Sequence, residues 1–386
     1  MPTERVPIDA FLKTAATALL LDVRSPGEYD HAHMPGAVSL PLFTNEERAI
    51  VGTAYKQQSR EQAIKIGLDL FGPKMRRMVE EVEGIYDLRF KNYDLDRPKE
   101  TVKHNAKIVC LYCWRGGMRS AAVAWLLSLY GFQVCLLQGG YKSFRTWVFE
   151  KVAASYNFNV IGGYTGSGKT GLLYELEQRG EKIIDLEKLA SHKGSAFGNI
   201  GLPAQPSQEM FENKLALALH SKTHVQNMEE ENTPVNPTNP QICGSNFFKT
   251  PYPIWIEDES QRIGTINLPN AFWQTMRNAP IYFLDIPFEP RLQHLVTEYG
   301  TLDTTQMIDA IRRIAKRLGP METKNAIRFL EEANTAESFR ILLQYYDKQY
   351  RKALHNRQNL TTLLHQIRCE TVCAGNAQLL SKPISA

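Results

Sequence analysis

The stretch Tyr112-Cys113-Trp114-Arg115-Gly116-Gly117-Met118-Arg119-Ser120 carries the sharpest chemistry in the chain. Cys113 follows an apolar run, Lys107 to Tyr112, that reads as a buried strand, and a helix is expected to start near Ser120. A loop between two such elements can turn its N–H groups and the helix dipole toward the sulfur. That lowers the thiol pKa and forms an anion cradle around a nucleophile. Gly116 and Gly117 permit the tight curvature, and Arg115 and Arg119 supply positive charge for a tetrahedral oxyanion. Cys110 and Cys113 also have the C-x-x-C spacing of a zinc site or a thioredoxin-like pair. No second Cys/His pair lies nearby and the nine histidines form no ligand cluster, so no transition metal is expected. Cys110 is assigned to the core, and Cys369 and Cys373, at helical spacing, to packing.

A second chemical signature is Gly163-Tyr-Thr165-Gly166-Ser167-Gly168-Lys169-Thr170, which matches G-x-x-x-x-G-K-[ST] in full. Its glycines let backbone N–H groups converge on phosphate oxygens, and the following helix adds partial positive charge. Lys169 is expected to neutralise the terminal phosphates, and the Thr170 hydroxyl to hold Mg²⁺. Ile254-Trp-Ile-Glu257-Asp258-Glu259 is an apolar strand running into acids. Asp258 is the first choice for the magnesium shell, with Glu257 the alternative, and Arg262 is placed to reach the same phosphates. The motif names a diphosphate and no particular nucleotide.

Both loops need strands and helices to hold them. In residues 1–150, apolar runs alternate with amphipathic stretches: strands at Ala18–Val23, Lys107–Tyr112 and Val134–Leu137, and a helix at Ser120–Tyr130 closed by Gly131. A charged, helix-rich insertion covers about 44–103. A second α/β unit spans 151–300, with strands at Phe158–Gly162, Lys182–Asp185, Pro253–Glu257 and Ile281–Leu284 separated by helices. That alternation predicts a parallel sheet. A polar, proline-rich loop covers about 229–250. After Arg291 the pattern is nearly all helical, and 301–386 holds 13 Lys/Arg against 8 Asp/Glu. That excess fits a polyanionic partner or a solvated helical face. Arg312, Arg313, Lys316 and Arg317 form one basic cluster, and Arg351 with Lys352 a second.

The 386 residues are 43% hydrophobic and 22% charged, which excludes a disordered or collagen-like chain. Six cysteines are too few for a disulfide framework and suggest a reducing compartment. The N-terminal stretch lacks a basic n-region and a small-residue cleavage site, and no apolar run is long enough to span a bilayer. A cytoplasmic enzyme with no membrane partner is expected.

Asp22-Val-Arg-Ser-Pro-Gly-Glu28-Tyr29 and His33-Met-Pro-Gly-Ala-Val38 resemble the opening motifs of rhodanese-like sulfurtransferase domains. Cys113 and Gly139-Gly140-Tyr141 fall where that fold places its catalytic loop and final strand. Here the arginine stands six residues after the cysteine, Cys113-x5-Arg119-Ser120, as in rhodanese-like dual-specificity phosphatases. The loop is one residue larger than in many sulfurtransferases and can admit a larger anion. A rhodanese-like domain fused to a P-loop domain resembles the bacterial tRNA 2-selenouridine synthases. The runs Asp185–Gly198 and Glu257–Gly264 are similar to that family as well.

The resemblance implies an N-terminal rhodanese-like domain, a central P-loop domain and a helical basic C-terminal region that contacts tRNA through Arg312, Arg313, Lys316, Arg317, Arg351 and Lys352. It implies that 2-thiouridine at the wobble position of tRNAs for Lys, Glu and Gln becomes 2-selenouridine. Geranyl diphosphate and selenophosphate are the implied co-substrates, and the selenophosphate-producing enzyme is an implied partner. The P-loop suits the diphosphate of the geranyl donor. Cys113 is expected to take selenium as a Cys–S–Se adduct, or to position selenophosphate while selenium attacks directly, with Arg115, Gly116, Gly117, Arg119 and Ser120 as its cradle. Both sites serve one base, so they are expected to share a cleft or to exchange the tRNA. Three other readings stay open at this point. One is a phosphatase using Cys113-x5-Arg119, although Tyr112 stands where such enzymes usually carry histidine. The others are a plain tRNA sulfurtransferase and a tRNA-binding P-loop switch protein.

Overall fold

The computed structural model describes residues 3–90, 107–224 and 252–380. Cys243, the polar segment 229–250 and residues 91–103 of the insertion lie outside the described residues. The chain divides into two compact units, 1–149 and 150–386.

The first unit is a five-stranded sheet in the order β1-β5-β4-β2-β3, every paired strand parallel. Its strands are β1 (Glu4–Val6), β2 (Leu19–Asp22), β3 (Val38–Ser39), β4 (Ile108–Tyr112) and β5 (Gln133–Leu137). Leu19, Leu21, Val109, Leu111, Val134 and Leu136 are all buried in one core with Val123 and Leu127. These near-continuous apolar runs are what a parallel sheet covered on both faces requires. The helices are α1 (Ile8–Ala15), α2 (Pro26–His31), α3 (Asn45–Gln57), α4 (Arg60–Phe71), α5 (Met75–Phe90), α6 (Met118–Tyr130) and α7 (Gly140–Ala153). Helix α3 opens on a Thr44–Glu47 capping box. Gly131, at φ +111, ends α6 in the left-handed conformation that only glycine adopts without strain. The very short β1 and β3 have no apolar run to announce them.

The second unit has its own five-stranded sheet, again parallel throughout, in the order β12-β11-β6-β8-β7. The strands are β6 (Phe158–Gly163), β7 (Lys182–Ile184), β8 (Ile254–Glu257), β11 (Ile281–Asp285) and β12 (Leu364–Arg368). β9 (Arg262–Ile263) and β10 (Ile266–Asn267) form a small antiparallel pair beside it. Strand β6 is central, so the P-loop leaves the middle of the sheet at its carboxyl end, where open α/β sheets bind ligands. Helices α8 (Lys169–Gln178), α9 (Leu186–Ala190), α10 (Gln208–His224) and α11 (Asn270–Arg277) connect the strands. A helical layer follows: α12 (Phe288–Tyr299), α13 (Thr304–Leu318), α14 (Pro320–Glu331), α15 (Thr335–His355), then the short α16 (Leu360–Leu363) and α17 (Ala377–Leu380).

In α13, Met307, Ala310, Ile311, Ile314 and Leu318 face inward at helical spacing. They share a core with Phe197, Leu292, Phe339 and Leu342. The all-helical expectation after Arg291 misses β12, which adds to the sheet by pairing with β11. β12 is an edge strand with His, Gln and Arg among its five residues, so no apolar run marks it.

Candidate functional site

The cysteine loop is built as expected between β4 and α6. Cys113 is 3% exposed, and its Sγ lies 3.2 Å from the Ser120 Oγ. The Ser120 hydroxyl donates to the Gly117 carbonyl at 3.1 Å. Gly117 is the N-cap of α6 and offers no side-chain cap, so the first-turn N–H groups remain for an anion. The loop is clamped from behind by the turn after β5. Tyr141 N–H donates to Cys113 O at 2.8 Å, and Lys142 N–H to Trp114 O at 3.0 Å. Gly116 (φ +63) approaches so closely that a Cβ would lie 2.8 Å from Leu137 O, and a Cβ on Gly140 would overlap Cys113 O and Gly116 N. Gly116 and Gly140 are therefore one packing device, whereas a Cβ on Gly117 would meet nothing within 4 Å.

The Asp22–Tyr29 segment supports this loop from below. Asp22 and Arg24 form a fully buried ion pair at 2.6 Å, and the Arg24 guanidinium lies 3.8 Å from the Tyr141 ring centroid. Removing either partner strands a buried charge, at a cost of about 3–5 kcal/mol. Glu28 accepts from Arg119 Nη1 at 2.9 Å, from Arg48 Nε at 2.9 Å and from the Ser25 N–H at 3.1 Å. Burial works to raise the Glu28 carboxyl, but Arg119, Ser25 and Arg48 outweigh it and hold it below the usual carboxylate range. Arg119 is thus an oriented cation, aimed by Glu28, and Arg115 is exposed. Sequence reasoning missed Glu28, although it sits inside a quoted motif.

The P-loop forms between β6 and α8. Gly166 (φ +79) and Gly168 (φ +70) take conformations that favour glycine. A Cβ on Gly166 would lie 2.8 Å from Arg291 O and 2.9 Å from Leu295 Cγ. Lys169 Nζ folds back to donate to Gly163 O at 3.3 Å, and the buried Ser167 hydroxyl has no partner. Thr165, Gly166, Ser167, Gly168, Lys169 and Thr170 all line one cavity of about 1870 Å³.

The expected Thr170–Asp258 magnesium pair is not assembled. Asp258 Oδ2 accepts from the Tyr350 hydroxyl at 2.7 Å, and Oδ1 is bound by the buried Arg357. The carboxylate that meets Thr170 is Glu187, whose Oε2 accepts from Oγ1 at 3.3 Å. Glu257 is fully buried; one oxygen accepts from Leu186 N–H at 3.1 Å and the other has no partner. Burial, with Asp185 and Glu187 nearby, holds Glu257 well above the usual range, and burial with Glu187 pushes Glu259 up to about 8. Among the described residues no group of three or more His, Cys, Asp or Glu is placed to hold a metal ion alone. A magnesium ion held partly by substrate phosphates and water needs only one or two carboxylates. Thr170 and Glu187, both in the cavity lining, fit that role; Glu257 is buried outside that lining, and both oxygens of Asp258 are already paired.

The basic residues are divided rather than pooled. Arg313 and Arg317, four apart on α13, face the P-loop cavity, and Arg313 donates to Ala196 O at 3.0 Å. Arg312 is exposed and pairs with Asp309 at 3.0 Å, and Lys316 is exposed. Arg262 lines the cavity and donates to Gly264 O at 2.9 Å. Arg351 hydrogen-bonds Tyr164 of the P-loop, and with Lys348, Lys352 and His355 lines a separate hollow of about 500 Å³.

Two family models match the chain. Residues 9–146 match the rhodanese-like domain, and residues 156–235 and 246–374 match the tRNA 2-selenouridine synthase AAA domain. A tRNA 2-selenouridine synthase from Nitrosomonas europaea is 30% identical over 88% of this chain and 90% of its own length. One from Aeromonas salmonicida is 32% identical over 88% of each chain, and one from Shewanella denitrificans 36% identical over 72% of this chain and 65% of its own. The chain belongs to the tRNA 2-selenouridine synthase family.

For a tRNA 2-selenouridine synthase family member, the parts that motif reading passed over are those that brace the P-loop. The Tyr350 hydroxyl accepts from Gly163 N–H at 3.1 Å, and Arg291 Nη1 donates to Thr165 O at 3.0 Å. Arg291 is in turn held by a bidentate pair with Asp347 at 2.9 and 2.8 Å. Tyr350 and Asp347 lie on α15, almost two hundred positions from the motif, and no local pattern links them to it.

Proposed function

We propose that this chain replaces the sulfur of wobble 2-thiouridine in the tRNAs for Lys, Glu and Gln by selenium, in the cytoplasm. In the first step the thiocarbonyl sulfur attacks the allylic carbon of geranyl diphosphate and pyrophosphate leaves. In the second, selenium supplied by selenophosphate adds at C2 and geranylthiolate departs. Alkylation is what makes the second step feasible, because a thiocarbonyl sulfur is a poor leaving group and an isothiourea-like sulfur is a good one.

The observation that carries this reading is the P-loop cavity. The P-loop residues 165–170 line it, and so do Leu295, which lies against Gly166, and Tyr299, Phe339 and Leu342. A donor with a diphosphate head and an apolar tail suits such a cavity better than a diphosphate alone. Lys169 and the N-terminus of α8 stabilise the charge that develops on the departing pyrophosphate. Thr170 and Glu187 would hold Mg²⁺, which would supply further charge neutralisation there. Arg313 and Arg317 at the cavity, with Lys316 and Arg312 on the outer face of α13 and Arg351 and Lys352 on α15, contact tRNA phosphates. The wobble base leaves its stack to react. The selenophosphate-producing enzyme is the natural source of the second donor.

Nucleoside analysis of thiolated tRNA after incubation with geranyl diphosphate, Mg²⁺ and selenophosphate tests the reading. The wild type is expected to yield 2-selenouridine. Lys169→Ala is expected to yield unmodified 2-thiouridine, and Cys113→Ser to stop at the S-geranyl product. An unchanged S-geranyl yield with Lys169→Ala removes the P-loop from the first step.

A further inference from the structure

Electron balance restricts what Cys113 can do with a selenium donor of this kind. In selenophosphate, phosphorus is P(V) and selenium Se(−II). Attack of the thiolate on selenium would send the P–Se electron pair to phosphorus and release phosphite. Releasing phosphate from that route would require a two-electron oxidant, which neither the donor nor the alkylated base provides. Attack on phosphorus changes no oxidation state. The S–P bond forms, the P–Se pair leaves with selenium as hydrogen selenide ion, and water later cleaves S–P to give phosphate and the free thiol.

The loop geometry suits the second course. The Cys113-x5-Arg119 loop is one residue longer than the usual sulfurtransferase loop, a length that suits a tetrahedral phosphoryl group rather than a single chalcogen atom. The uncapped N-terminus of α6 opens onto it. Glu28 binds Arg119 through Nη1, which leaves Nε and Nη2 for phosphoryl oxygens. The Ser120 hydroxyl stands 3.2 Å from Sγ and is buried, with the Gly117 carbonyl as its other partner. In a thiol–phosphoryl intermediate the sulfur must leave as thiolate, and the Ser120 hydroxyl, turned from the Gly117 carbonyl toward Sγ, donates to it and stabilises that charge.

We propose that Cys113 is a nucleophile toward the phosphorus of selenophosphate, forming an S-phosphocysteine and releasing selenide beside the base, and that the Ser120 hydroxyl assists breakdown of this intermediate. The inference rests on the reading that selenophosphate is the donor.

The full chain is incubated separately with radiophosphorus-labelled and radioselenium-labelled selenophosphate, then quenched rapidly in denaturant. Radiophosphorus on wild-type protein, absent from Cys113→Ser, is the expected result. Ser120→Ala should accumulate the label because breakdown slows by about tenfold, and Ser120→Thr, which restores a hydroxyl, should clear it. If Ser120→Ala does not fold, the wild-type quench alone decides. Radioselenium on the protein without radiophosphorus overturns the proposal. Neither label on the protein while selenium enters alkylated tRNA assigns direct transfer and also overturns it, leaving the proposed function intact. No consumption of selenophosphate by the wild type removes both.

Discussion

Individual carboxylates in this chain do opposite things, and their surroundings decide which. Glu28 is held below the usual range by Arg119, so its stabilisation is present above the unfolded pKa and is lost as pH falls through the folded value. Glu259 is the reverse case. Burial and Glu187 push it to about 8, so the folded state binds its proton more tightly than the unfolded state. Its contribution is complete below the ordinary carboxyl pKa of about 4.3 and is lost as pH rises through about 8. The two windows do not overlap. Thermal unfolding of the second unit is therefore expected to move to lower temperature as pH rises from about 5 to 8, and Glu259→Gln to flatten that slope. A slope unchanged in the variant, measured by calorimetry across this range, would assign it to other groups. At this scale the motif residues were largely legible in the chain: Cys113 stands in its loop after β4, Arg119 in the first turn of α6, and Lys169 and Thr170 at the start of α8. What could not be read was occupancy. Asp258 carries the right chemistry at the right strand end, but Tyr350 and Arg357 already use both its oxygens.

Helices α12 and α15 act on the P-loop through peptide-plane geometry. In a trans peptide the carbonyl of one residue and the N–H of the next point in opposite directions. Arg291 binds the Thr165 carbonyl, so the Gly166 N–H is turned away from Arg291. Asp347 fixes Arg291 with two charge-assisted hydrogen bonds. Asp347→Asn removes that charge and is expected to weaken binding of inorganic pyrophosphate by about tenfold, read by titration calorimetry on the full chain. Unchanged affinity with a lowered unfolding temperature would make the pair a brace for stability alone. Strands β2, β4, β5, β6, β7, β8 and β11 were readable from their apolar runs, whereas β1 and β3 are too short to carry one. β12 and the α15 brace were not readable, because their partners are remote in sequence and their own residues are polar.

The described residues form two parallel α/β units, each with its own sheet, core and glycine-containing loop after a strand. No described helix is long and apolar enough to cross a membrane. Such self-contained cores predict that residues 150–386 expressed alone unfold cooperatively, and that pyrophosphate raises their unfolding temperature by mass action. Lys169→Ala should abolish the increase. A fragment that gains no stability from pyrophosphate would show that the P-loop needs the first unit.

Local order along the chain was enough to determine the two loops, the cysteine and lysine they carry, the parallel sheets that position them and the family to which the protein belongs. Backbone turns and helix starts depend on neighbouring residues, so a linear motif specifies them. Tertiary structure alone decided that Glu187 rather than Asp258 meets Thr170, that Glu28 aims Arg119, that the four arginines and lysines of α13 split between cavity and solvent, and that α15 sets the P-loop peptide planes. Those are pairings between distant segments, fixed by how buried charges find partners once the sheets close.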